Sequence, residues 1–286
     1  MKLMIKIFIV FASVLAIAFY FLRDQDNATP ASKAMKSETG KFETLAPLPS
    51  TIKESSGIET MPEKEHYITH NDANNQPYLY EINENGKLVK TYKFKLPNVD
   101  WEDLTRDDNG NLYIGDIGNN NSKRTELAIY KVPFSEMANP QAIRFTYEDY
   151  EGKPSKKDKN SFDSEAFFWY ADNLYLISKD RNGSHEAKVY QLPDKPGNYT
   201  AKKIGSIKMT DRVTSACISP DARMVVLLSE GKIHLYRNVN NPESFFEGEP
   251  EEIPLSGAGQ TEAVTFKDNN TLILTSEGGN LFRYTL

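Results

Sequence analysis

The chain has 286 residues and a formal net charge of −6, from 34 Lys and Arg against 40 Asp and Glu. Hydrophobic residues make up 39% and charged residues 26%, a balance that excludes global disorder. The acidic excess argues against a nucleic-acid binder, and the single cysteine, Cys217, excludes an internal disulfide framework or a Cys-rich zinc module.

From Ile7 to Leu22 runs an uncharged apolar segment, preceded by Lys2 and Lys6 and followed by Arg23-Asp24. Two readings compete: a signal peptide cut after Ala16-Ile17-Ala18, or an uncut anchor. Cutting there would leave Phe-Tyr-Phe-Leu at the new terminus, which favours the anchor. Lysines before the run place the rest of the chain outside the cytoplasm. The expected organisation is a signal anchor or signal peptide over 1–23, a polar linker over 24–40, and a folded domain over 41–286. The expected location is the cell envelope. The helix would be held in the inner membrane, with the domain in the periplasm or outside the cell.

Beyond Lys41 the pattern is of short runs rich in Ile, Val, Leu, Tyr and Phe, separated by turn residues such as Asn85-Gly86 and Asn109-Gly110. Self-comparison aligns Ser56, Glu102, Glu165, Ser215 and Glu262, at intervals of 46, 63, 50 and 47 residues. A second series follows each by about fifteen residues: Asp72, Asp116, Lys179, Glu230 and Glu277. A third strand then carries an aromatic: Tyr80, Tyr130, Tyr190, Tyr236 and Tyr284. Units of this length with three or four strands predict an all-β fold, a β-propeller of five blades. Six is the alternative if the stretch from Met137 to Asn160, read as a polar insertion, hides strands. The last unit lacks a fourth strand, and Lys41 to Leu48 is expected to supply it and close the ring.

In a blade the first strand lines the channel and the second returns antiparallel to it. A first-strand start and a second-strand end therefore share one face. The two series should converge there as seven carboxylates and the amine of Lys179. Such a cluster must be neutralised by a hard cation such as calcium, be partly protonated and so able to move protons, or be structurally paired with Lys179, Arg124 or Arg212. The loop Gly115-Asp116-Ile117-Gly118-Asn119 offers further oxygens and sharp turns. Trp101 reads as core or channel packing, and Cys217, between apolar neighbours, as an inert thiol.

Read together, Asn71-Asp72, Asp100-Trp101-Glu102-Asp103-Leu104, Gly115-Asp116-Ile117-Gly118-Asn119, Arg124, Asp163-Ser164-Glu165-Ala166, Ser178-Lys179, Ser219-Pro220-Asp221 and Thr261-Glu262-Ala263 resemble bacterial envelope propellers. The likeness is to the SdiA-regulated-type and phytase-esterase-like group and, more distantly, to calcium-dependent lactonases. It implies a propeller with a metal at its axis. The expectation is an extracytoplasmic propeller that binds calcium through Glu102, Glu165, Glu262, Asp116 and Asp72. Asn71, Trp101, Asn119, Arg124, Lys179, Glu230 and Glu277 would surround that pocket. It would present this face to a small molecule or an envelope protein. The alternatives are a metal-assisted hydrolase of a phosphoester, ester or lactone, and a metal-free interaction scaffold.

Overall fold

The computed structural model describes residues 41–150 and 162–286. The apolar run 7–22, the linker 24–40 and the lysine-rich stretch 153–159 lie outside the described residues. Among the described residues no helix is long and apolar enough to cross a membrane.

The fold is all-β and built from antiparallel meanders. β2 (Ser55–Thr60), β3 (His66–Asn71), β4 (Tyr78–Asn83) and β5 (Leu88–Lys93) form one sheet in chain order, flanked in sequence by β1 (Phe42–Pro47). The next meander is β6 (Trp101–Arg106), β7 (Asn111–Asp116), β8 (Leu127–Pro133) and β9 (Gln141–Tyr147). After it come β10 (Ser164–Tyr170), β11 (Asn173–Ser178), β12 (Glu186–Pro193) and β13 (Gly197–Lys208). Parallel pairing of β13 with β9 joins these two meanders into one eight-stranded sheet. A further sheet holds β14 (Val213–Ile218), β15 (Val225–Ser229), β16 (Lys232–Tyr236) and β17 (Glu251–Pro254). In the last, β18 (Thr261–Asp268), β19 (Thr271–Ser276) and β20 (Asn280–Thr285) take β1 as their fourth strand. That pairing runs from Phe42 opposite Tyr284 to Pro47 opposite Asn280, so the start of the domain closes on its end.

Turn chemistry sets the hairpin registers. Asn83 accepts from the amides of Asn85 and Lys87, and Gly86 takes the left-handed conformation between them, at φ +71°. Asp107 holds the β6–β7 turn in the same way, accepting from the amides of Asn109 and Asn111 at 2.9 and 2.8 Å.

Both faces of the second strands are buried, which is why their sequences read as continuous apolar runs rather than as alternation. Successive residues face different neighbours. In β10, Phe167 packs with Tyr113 and Ile129 of the preceding meander, whereas Phe168 packs with Val225 and Leu227 of the following one. The same arrangement continues with Val226 against Leu272, Ile273 against Ile58, and Ile68 against Leu112. The core is thus a series of layers between sheet faces. Each buried large side chain in such a layer stabilises by about 1.5–3 kcal/mol. The first strands touch in the cyclic order β2, β6, β10, β14, β18 and back to β2.

The stretch from Met137 to Asn160 is not wholly an insertion, as the sequence reading has it. β9 lies inside it, with Ile143, Phe145 and Tyr147 buried and the residues between them outward. The alternation of Ile143, Arg144, Phe145, Thr146 and Tyr147 is the period-two signal of a half-buried strand.

Candidate functional site

Every first strand begins with a β-bulge. The register shifts between Ser55 and Gly57, Trp101 and Leu104, Ser164 and Ala166, Val213 and Ser215, and Thr261 and Ala263. A bulge leaves one side chain unpaired and re-aims it. Glu102, Glu165 and Glu262 occupy bulge positions, and all three line one pocket at this end of the ring. In the fourth unit the bulge residue is Thr214. The sequence alignment on Ser215 is therefore one residue out.

The pocket has a volume of about 230 Å³ and no apolar residue in its wall. Asp72, Glu102, Glu165, Lys179, Glu230, Glu262 and Glu277 all line it, joined by Glu54 and Arg181. Seven carboxylates thus face two cations. A wholly polar wall suits an ion or a small charged group better than an apolar ligand.

Other residues expected at the mouth support it from behind. Asp116 does not line the pocket: its Oδ1 accepts from Arg124 at 2.7 Å and from the amide of Asp100 at 3.1 Å. Arg124 also donates to the carbonyl of Gly118 at 2.7 Å, so its guanidinium braces the loop. Asn119 exchanges bonds with the backbone of Arg124. Asn71 accepts from the amides of Lys53 and Glu54, which holds the approach to β2. Trp101 is fully buried, donates to the carbonyl of Pro97 and packs edge-on against His70. These are positioning roles, and they explain why the motif residues outnumber those in the pocket.

Two carboxylates that sequence reading left out of the metal set complete the site. Oxygens of Asp72, Asp100 and Glu102 lie within 4.8 Å of one another, and so do those of Glu102, Asp163 and Glu165. Both Asp100 and Asp163 stand two residues before a bulge glutamate. The signal was present: Glu54, Asp100, Asp163, Arg212 and Gln260 are polar at that offset in every unit.

The two trios differ in how their charge is met. In the second, Arg181 bridges Asp163 and Glu165, and Lys179 pairs with Glu165. Glu165 is nevertheless pushed up to about 7, by burial first and then by Asp163, against the pull of Lys179 and Arg181. In the first trio no cation stands in ion-pair range among the described residues. Asp72 accepts from the amide of Ala73 at 2.5 Å, and Asp100 accepts from Asn120 at 3.3 Å. Glu102 is 6% exposed and has no hydrogen-bond donor among the described residues. Burial, Glu165, Asp72, Asp100 and Asp163 all raise its carboxyl well above the usual range. Asp100 is pushed up to about 6 by burial and by Asp72 and Asp163. Glu262 is pushed up to about 8, by burial first, with Glu165, Glu277 and Glu230 adding repulsion.

Gly118 makes this crowding possible. A Cβ there would overlap Glu102 Oε1 and the carboxylate of Asp100. Gly118→Ala is expected to fold, since the position does not need a left-handed backbone, but to force the two carboxylates apart. Denaturant titration should read a loss of about 1–3 kcal/mol, the usual cost of overpacking a crowded site.

A third acidic group, Asp211, His234 and Glu252, lies apart from the pocket. Lys232 already sits on Asp211 at 2.6 Å and on Glu252 at 3.2 Å, so a metal would have to displace it.

No protein-family model and no curated protein sequence matches the chain. Among solved structures it is similar to virginiamycin B lyase from Staphylococcus aureus, at 15% identity and a TM-score of 0.42, over 80% of this chain and 65% of that one. The chain therefore matches less than two thirds of that lyase. An inactive form of the same lyase with quinupristin gives 14% identity and 0.43, over 84% and 68%. A protein of unknown function from Bacteroides thetaiotaomicron gives 9% identity and 0.49, over 85% and 75%. These neighbours are propeller-like proteins.

Proposed function

We propose that this chain is a five-bladed propeller, tethered to the cell envelope by its amino-terminal segment, that binds calcium at the acidic mouth. It presents that ion to a small anionic ligand or an envelope partner. The observation that carries this reading is Glu102, buried and without a donor among the described residues, amid four other carboxylates. Leaving a buried carboxylate unpaired costs several kcal/mol, and a cation removes that cost.

The ligand set is centred on Asp72, Asp100 and Glu102, with Asp163 and Glu165 bridging to Arg181 and Lys179. Two oxygens on one calcium ion, each about 2.5 Å from it, lie at most about 5 Å apart, so the observed spread fits. All-oxygen donors of flexible geometry suit calcium over zinc. The test is calorimetry of chelator-stripped protein with calcium. Saturable binding, lost in Glu102→Gln, is expected; equal binding by that variant removes Glu102 from the site.

One observation favours a second reading, a metal-assisted hydrolase. Glu165 at about 7 and Glu262 at about 8 sit where a general acid or base works near neutral pH. Calcium-dependent turnover of lactones, aryl esters or phosphoesters, lost in Glu262→Gln, would establish it.

A further inference from the structure

The other ends of the first strands enclose a second and larger cavity, of about 510 Å³. Its chemistry is unlike that of the acidic mouth. Trp169, Tyr170 and Phe266 give it an aromatic wall. The indole of Trp169 is held in place by donating to Asp194 at 2.9 Å.

Three charged groups in this wall lack an ion pair among the described residues, Glu59, Arg106 and the exposed Asp108, and the first two meet through Thr60. Glu59 is 6% exposed, and its Oε1 takes every donor it has: the Thr60 amide, the Thr60 hydroxyl and the Thr265 hydroxyl, at 2.6, 2.9 and 2.9 Å. Its Oε2 has no donor among the described residues. Arg106 is exposed at the rim and has no carboxylate in ion-pair range among the described residues. It donates to Thr60 Oγ1 at 3.2 Å and lies over the ring of Phe134. Lys267, the other cation of the wall, is already paired with Glu84 at 2.9 Å.

The Thr60 hydroxyl therefore stands between a guanidinium with no ion pair among the described residues and a half-satisfied buried carboxylate. The two charges are separated by one hydroxyl, roughly the span of an ammonium and a carboxylate carried on one carbon plus their hydrogen bonds. We infer that this cavity binds a small zwitterion of the amino-acid type. Its anion meets Arg106, its amine meets Glu59 Oε2, and its apolar or aromatic side chain lies against Trp169 and Phe266. Such a ligand supplies the donor that Glu59 lacks without bringing an unpaired charge into the cavity. The site is separate from the acidic mouth and needs no metal.

Three probes that share one aryl body test it: phenylalanine, phenethylamine without the anion, and 3-phenylpropionate without the amine. The readout is the indole N–H resonance of Trp169, with that of the fully buried Trp101 as an internal control. Phenylalanine at millimolar concentration should shift the Trp169 signal saturably and leave Trp101 in place. Each truncated probe should bind roughly tenfold more weakly. Arg106→Gln, at an exposed strand end, should fold and weaken phenylalanine by a similar factor, with Arg106→Lys recovering part of it. No saturable shift with phenylalanine, or equal affinity for all three probes, overturns the inference, as does unchanged affinity in Arg106→Gln.

Discussion

Asp103→Ala is expected to lower the unfolding free energy by about 4 kcal/mol. Asp103 is fully buried beside the bulge of β6, and its carboxylate is a staple between first strands. It accepts from its neighbour Leu104, from the amide of Phe167 in β10 at 3.3 Å, and from the amide of Ala216 in β14 at 3.1 Å. The Ser215 hydroxyl also donates to it, at 3.0 Å. Ser215 Oγ in turn accepts from the amide of Val264 in β18 at 3.1 Å, which extends the connection across the ring. Alanine would strand these donors, and each buried orphan costs about 1–3 kcal/mol. Asp103→Asn keeps one accepting oxygen and should lose less. Denaturant titration measures both; a loss below about 1 kcal/mol in Asp103→Ala would show that water takes over the donors.

The second large effect is on the pH dependence of stability. Glu165 at about 7 and Glu262 at about 8 hold their folded values above the ordinary glutamate value of about 4.5. In metal-free protein the folded state thus binds more protons than the unfolded state between these limits. The stability that they contribute is fully present below about pH 4.5 and is lost as the pH rises through about 7 to 8. Chelator-stripped protein should therefore melt lower at about pH 8 than at about pH 5. Calcium should reverse this at the higher pH, because its charge offsets the repulsion among the neighbouring carboxylates that the protons relieve. With calcium about a hundredfold above its Kd, the midpoint should rise by on the order of 5–10 °C. A melting temperature that does not respond to calcium at about pH 8 would contradict the account.

Much of this architecture was legible because each unit meets the same packing demand. The buried second strands recur as apolar runs, and polar residues recur where those strands reach the rim. Lys41 to Leu48 could be assigned to the last sheet because that sheet otherwise ends one strand short. The bulges were not legible, since an extra residue leaves the hydrophobic pattern of a fully buried strand unchanged. That is why the sequence pattern points to Ser215 where the bulge falls on Thr214, and why it shows Asp103 as part of a motif and not as a staple. The offset of Asp116 from Glu102 predicts a place in the pocket, yet direction matters as much as position. Its carboxylate turns back to Arg124, which follows it in the same loop. Glu59 and Arg106 carried no signal, because their meaning comes from the cavity between distant strand ends.

The most direct measurement is a crystal structure of the protein grown with millimolar calcium, with the ion identified by its anomalous signal. The account predicts one ion bound by oxygens of Asp72, Asp100 and Glu102, with Gly118 against the coordinating carboxylates. An acidic mouth closed only by Lys179 and Arg181, or calcium found instead at Asp211 and Glu252, would contradict it.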